Sequence, residues 1–127
     1  MTIAFWTLLV ATFLPWVMAV IKKSRIAQRG EYNNAAPRTI DPKLEGLYKR
    51  AQWAEKNSFE ILPGFVAAVI VAHLAAADQY CIDIIALAFI ASRILYCICY
   101  LMNWALLRSA VWFVGLLCII GLFIIAA

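Results

Sequence analysis

Charge is what this chain has least of. Asp, Glu, Lys and Arg make up 14 % of its 127 residues, against about a quarter in an ordinary soluble domain. There is one histidine, His73. It lies far along the chain from the other polar clusters and reads as an interfacial or helix-contact residue rather than a catalyst. The four cysteines, Cys81, Cys97, Cys99 and Cys118, include no CxxC pair. That spacing argues against a disulfide framework and against a zinc site, so no metal is expected. They read as small buried hydrophobes. Repeats and low-complexity segments are missing too. No basic residue opens the chain, and no small-x-small site precedes Lys22 and Lys23. The first apolar run is therefore expected to be a retained span and not a cleaved signal.

What the chain has is hydrophobicity, at 66 % of residues. Four apolar runs, over 3–21, 61–77, 84–101 and 109–127, are each 17 to 19 residues long. A helix needs roughly 20 residues to cross the hydrocarbon layer. Lipid offers no partner to an open backbone, so such runs must be helices. The expectation is an all-α integral membrane protein, one bundle of four transmembrane helices. Its spans are placed near 3–21, 57–77, 82–102 and 108–127, with a loop over 23–47. Within that loop "RGEYNNAAPRTIDP" is rich in turn residues. The second helix is expected to start before the membrane, with Asp41 as its cap and Pro42 at its first position.

The few charges are placed unevenly. Between Lys22 and Arg50 lie eight basic residues against three acidic ones, whereas the turn between the second and third runs offers Asp78 and Asp83 and no base. The positive-inside rule puts the long loop in the cytoplasm and both termini on the other side. The net charge of +4 is thus a topology signal and calls for no nucleic acid. A multi-pass protein of a bacterial inner membrane is expected.

Some charges enter the spans. Arg50, Trp53, Asn57 and Glu60 follow a 3-4-3 spacing on the second helix, and Arg93, Tyr96 and Tyr100 a similar one on the third. Glu60 lies ten residues beyond Arg50, and Arg93 ten before Asn103. At about 1.5 Å per residue both sit about 15 Å from the cytoplasmic ends of their helices. A carboxylate and a guanidinium at matching depth are expected to face each other or a shared polar cavity. A bridge alone would be a poor stabiliser, since desolvation cancels most of the attraction. With Asn57, Tyr96, Tyr100 and Arg108 nearby, the set is richer than one bridge needs and points to a ligand cavity.

"RAQWAEKNSFEILP", "RILYCICY" and "LLRSAVW" in a four-span chain of this size resemble the membrane-associated proteins in eicosanoid and glutathione metabolism. Ala54, Asn57, Glu60 and Pro63 match that family's signature. The resemblance covers essentially the whole chain. It implies a homotrimer with glutathione as co-substrate at each subunit interface and a lipophilic small molecule arriving from the membrane lipid. By position, Arg50, Asn57, Glu60, Arg93, Tyr96 and Tyr100 would bind glutathione. Arg108 would stabilise its thiolate, with Ser109 beside it as in prostaglandin E synthase. Chemistry agrees, because glutathione carries two carboxylates and an ammonium and needs several cations and an acid. Trp53 stands where many members carry an arginine; Arg50, Lys22, Lys23 or Arg25 could take over that contact.

Three functions compete. A glutathione transferase or peroxidase acting on lipophilic electrophiles is the first. A non-catalytic lipid- or ligand-binding scaffold of the same family is the second. A small multidrug exporter also has four spans and a membrane glutamate, but in its first span, which here has no acid.

Overall fold

The computed structural model describes all 127 residues. Four helices follow one another: α1 (Ile3–Gln28), α2 (Gly46–Leu74), α3 (Gln79–Leu101) and α4 (Ala105–Ala126). A 3-10 segment, Pro37–Lys43, lies between the first two, and there is no strand. The most apolar 18-residue windows of the helices have mean hydropathies of 2.0, 1.5, 2.2 and 2.6. All four are long and apolar enough to cross a membrane. Only 30 of the 127 residues are buried, although two-thirds are hydrophobic. Most apolar side chains therefore point outward, as they do when the solvent is lipid.

α1 packs on α2 and α3, and α4 packs on α3 and α2, so α1 and α4 flank a central pair. Small residues line the contacts: Ala4, Ala11, Ala68, Ala72 and Ala86 are buried among Phe65, Val69, Ile82, Phe89 and Leu122. In lipid the attraction between helices is packing rather than water exclusion, and small side chains let backbones come close. Phe65 and Phe89 stack across α2 and α3 with ring centroids 3.8 Å apart. On α4, Gly115 faces α3 so closely that a Cβ would lie 3.2 Å from Ser92 Oγ.

Helix ends follow one rule. α1 closes with Gly30 at φ +70°, its N–H bonded to Ala27 O and the Glu31 N–H to Ile26 O. This paired closure satisfies two of the carbonyls that the helix end would otherwise leave free. α2 and α3 end the same way, with Ala76 and Asn103 in the left-handed conformation. α3 starts at Asp78, whose carboxylate accepts the Cys81 N–H at 2.9 Å. That bond holds the Asp78 carboxyl below its usual range. Asp83 Oδ1 ties the same end together, accepting from Ala4 N–H and from Gln79 Nε2, each at 2.8 Å. His73 meets Gln79 Oε1 at 3.2 Å and packs edge-on to Phe5, a helix-contact role.

Two boundaries differ from the sequence expectation by more than one helical turn. α1 runs two turns past residue 21, because nothing between Ile21 and Gly30 breaks a helix. α2 begins at Gly46, with Glu45 rather than Asp41 in the capping position, and Pro42 belongs to the 3-10 segment. The cause is tertiary. Ile40 and Leu44 are drawn into a small core with Ile26, which leaves Leu44 extended and delays the helix.

Candidate functional site

The central polar residue is Arg93, on α3, at 2 % exposure. Its Nη2 donates to Asn57 Oδ1 at 2.8 Å. Asn57 Nδ2 in turn donates to Glu60 Oε2 at 3.3 Å. Glu60 and Arg93 are thus joined at matching depth, but through the amide of Asn57 rather than by the direct facing that depth alone suggested. No ion pair forms between them. Glu60 itself is exposed on the surface of the bundle. Arg93 gains a second contact from the face of Tyr96, 4.0 Å from its guanidinium carbon, a geometry that favours a cation. Its Nε and Nη1 have no hydrogen-bond partner within the chain.

From there a ladder of rings leads to the end of the bundle. Tyr96 meets Tyr100 edge-on at 5.2 Å, and the Arg108 guanidinium lies over Tyr100 at 4.5 Å. Tyr96, Tyr100, Arg108, Ser109, Trp112 and Phe113 line a cleft of about 240 Å³ between α3 and α4. Arg108 has no carboxylate partner and donates no hydrogen bond from its side chain. Its five N–H donors are open to a ligand. Ser109 donates to Ala105 O at 3.2 Å and keeps its lone pairs. α4 has no side-chain cap at Trp104, so the free N–H groups of its first turn add positive potential here.

The predicted residues therefore fall into three groups. Asn57, Glu60 and Arg93 form one polar chain. Tyr96, Tyr100, Arg108 and Ser109 form the cleft beside it, connected through the stacking of Arg93 on Tyr96. Arg50 stands apart: its Nε and Nη2 donate to the Tyr100 and Leu101 carbonyls at 2.8 and 3.1 Å, closing the C-terminus of α3. Trp53 packs near Tyr100, with ring centroids 6.4 Å apart.

Three features escaped the sequence reading. Trp112 and Phe113 are walls of the cleft, and their position four residues beyond Arg108 and Ser109 is the helical signal that would have found them. The third is a buried ion pair between Lys22 of α1 and Glu55 of α2, with Asp41 of the 3-10 segment 3.8 Å from the same ammonium. Lys22 is therefore occupied, like Arg50, and neither is free to take over the contact expected at the position of Trp53.

The polar chain makes a prediction. Glu60→Gln and Arg93→Met should show a coupling of about 0.5–3 kcal/mol in a double-mutant cycle, as groups in one network do. In an Asn57→Ala background the coupling should vanish. A cycle that is additive with Asn57 in place would show that the chain does not act as a unit.

The MAPEG family profile matches residues 3–127. No curated protein and no solved structure matches the chain.

Proposed function

The chain belongs to the MAPEG family, and from that premise we propose that it is a glutathione-dependent transferase or peroxidase for lipophilic electrophiles. Membership makes it a multi-pass membrane protein related to eicosanoid and glutathione metabolism. The finer reading is carried by one observation: Arg108, an unpaired guanidinium held over Tyr100 at the mouth of an aromatic cleft. A fixed cation at that place favours thiolate over thiol. The thiolate sulfur attacks an electrophilic carbon, a C–S bond forms, and the leaving group departs with the electron pair of the bond it loses. Trp112 and Phe113 offer the electrophile an apolar surface continuous with the lipid.

The cleft in one chain is small, about 240 Å³ against roughly 300–1,000 Å³ for pockets that enclose a small molecule. It also offers one free cation for a ligand with two carboxylates. Both points support a site completed by a second copy in a homotrimer, with the exposed Glu60 available to the ammonium. The proposal includes the orientation derived from charge, the basic end of the bundle cytoplasmic and both termini across a bacterial inner membrane.

A second reading has its own observation. Trp53 is 47 % exposed at the position where many relatives carry an arginine, and Arg50 and Lys22 are engaged elsewhere. A scaffold that binds a lipophilic ligand without catalysis would fit those facts. Calorimetry on the detergent-solubilised protein, paired with native mass spectrometry, separates the two. The expected result is a trimer that binds glutathione with measurable heat. A protein that binds none is a scaffold, and a strict monomer or dimer rejects the interface site.

A further inference from the structure

At the basic end of the bundle, away from the Arg108 cleft, lies a second cavity of about 410 Å³. Arg25 enters it from the last turn of α1 and Arg29 from the residue that closes that helix, Lys43 from the end of the 3-10 segment, Glu45 from the residue before α2, and Leu47 and Tyr48 from its first turn. All three cations are exposed, and none makes an ion pair. Glu45 is the only acid on the rim, so the lining carries two net positive charges.

Part of this arrangement has an ordinary explanation. The negative end of the α1 dipole favours Arg25 and Arg29 at the end of that helix. It does not account for Lys43, which belongs to the 3-10 segment. Lys43 sits beside the N-terminus of α2, where a cation meets a positive dipole end and is disfavoured. That N-terminus has no side-chain cap, and the first N–H groups of a helix have no partner within it. Three unpaired cations and a helix start therefore face one space, an arrangement that is repulsive when the space holds only water and favourable when it holds an anion.

Depth identifies the anion. Arg25 and Arg29 lie four and eight residues beyond Ile21, where the apolar run of α1 ends. At about 1.5 Å per residue this puts them about 6 and 12 Å past the hydrocarbon edge. Headgroups occupy the layer that begins there, roughly 5–8 Å deep on each side, and a guanidinium reaches back into it. Guanidinium groups bind phosphate oxygens in pairs with good geometry. Leu47, 39 % exposed on the cavity wall, offers an apolar contact to the glycerol and first acyl carbons. The geometry points to a binding site for the phosphate of an anionic phospholipid from the bilayer in which the protein sits, held by Arg25, Arg29 and Lys43. The site shares no lining residue with the Arg108 cleft.

Native mass spectrometry of the full chain in a mild detergent tests this, with phosphatidylglycerol, phosphatidylcholine and inorganic phosphate added in separate titrations. Phosphatidylglycerol should be retained in clear preference to phosphatidylcholine. Each cation removed should weaken retention about fivefold, the effect of one basic residue at an anionic surface. Lys43→Gln should thus cost about fivefold and the Arg25→Gln, Arg29→Gln pair about 25-fold. Arg38→Gln, which removes the same charge outside the cavity, should change little. All four side chains are exposed, and an unchanged melting temperature confirms that each variant is folded. Equal retention of the two lipids overturns the proposal, as does a loss in Arg38→Gln matching that in Lys43→Gln. Inorganic phosphate that binds as well as the lipid and displaces it makes the site one for soluble phosphate, and the lipid assignment fails.

Discussion

Arg108→Ala is expected to cut turnover with a dinitrohalobenzene by about 10- to 1,000-fold, the range for losing one electrostatic stabiliser of a reacting anion. Glutathione affinity should fall far less, because the proposed site assigns the carboxylates and ammonium to groups other than Arg108. The physical argument is differential stabilisation. Lowering a thiol pKa by one unit takes about 1.4 kcal/mol in favour of the thiolate. Arg108 is suited to supply it, since a guanidinium stays charged when partly desolvated and no carboxylate in the chain competes for it. Stacking on Tyr100 at 4.5 Å fixes its position at little entropic cost, and the uncapped start of α4 adds potential of the same sign. The ultraviolet absorbance of thiolate, formed when glutathione meets the native protein, should be lost in the variant. Arg108→Lys should recover part of the absorbance, because it keeps the charge while losing the planar fork. Native protein that binds glutathione with no thiolate signal would remove Arg108 from the reaction and leave the scaffold reading.

Much of this site was legible in the sequence because helices carry a fixed period. Spacings of three and four put Asn57 and Glu60 on one face of α2 and Arg93, Tyr96 and Tyr100 on one face of α3, and counting residues from the helix ends put the two faces level. Four spans followed from the length of the apolar runs alone. What could not be read was how the polar groups share partners. Asn57 is placed between Glu60 and Arg93 by the distance between α2 and α3, which is a packing quantity. Arg50 shares a helical face with Asn57, yet it is consumed by the Tyr100 and Leu101 carbonyls at the end of α3. Its engagement depends on where α3 stops, and helix ends are set by local closures such as that at Asn103. The segment before α2 departs from its local signals for a related reason. Asp41-Pro42 is a sound local start signal, and burial of Ile40 and Leu44 against Ile26 outweighs it.

The ion pair that joins α1 to α2 carries the other large expected effect. Lys22 and Glu55 are 10 % and 15 % exposed in their side chains, so water does little to screen them. Pairs of this kind add little net stability, but removing one partner leaves a buried charge uncompensated, at a cost of about 3–5 kcal/mol. The two removals should not cost the same. Glu55→Gln leaves the Lys22 ammonium with Asp41 at 3.8 Å, so its cost should fall at or below the low end of that range. Lys22→Met leaves Glu55 with no cation and should reach the high end. Replacing both, Lys22→Met with Glu55→Leu, removes the buried charges together and should restore most of the lost stability. Unfolding by sodium dodecyl sulfate in mixed micelles, followed by tryptophan fluorescence, reads these differences directly. Equal losses in the two single variants would show that Asp41 gives Lys22 no support. A double variant as unstable as Lys22→Met alone would mean that Lys22 acts through the packing of its methylene stem, and that its charge is incidental to the contact between α1 and α2.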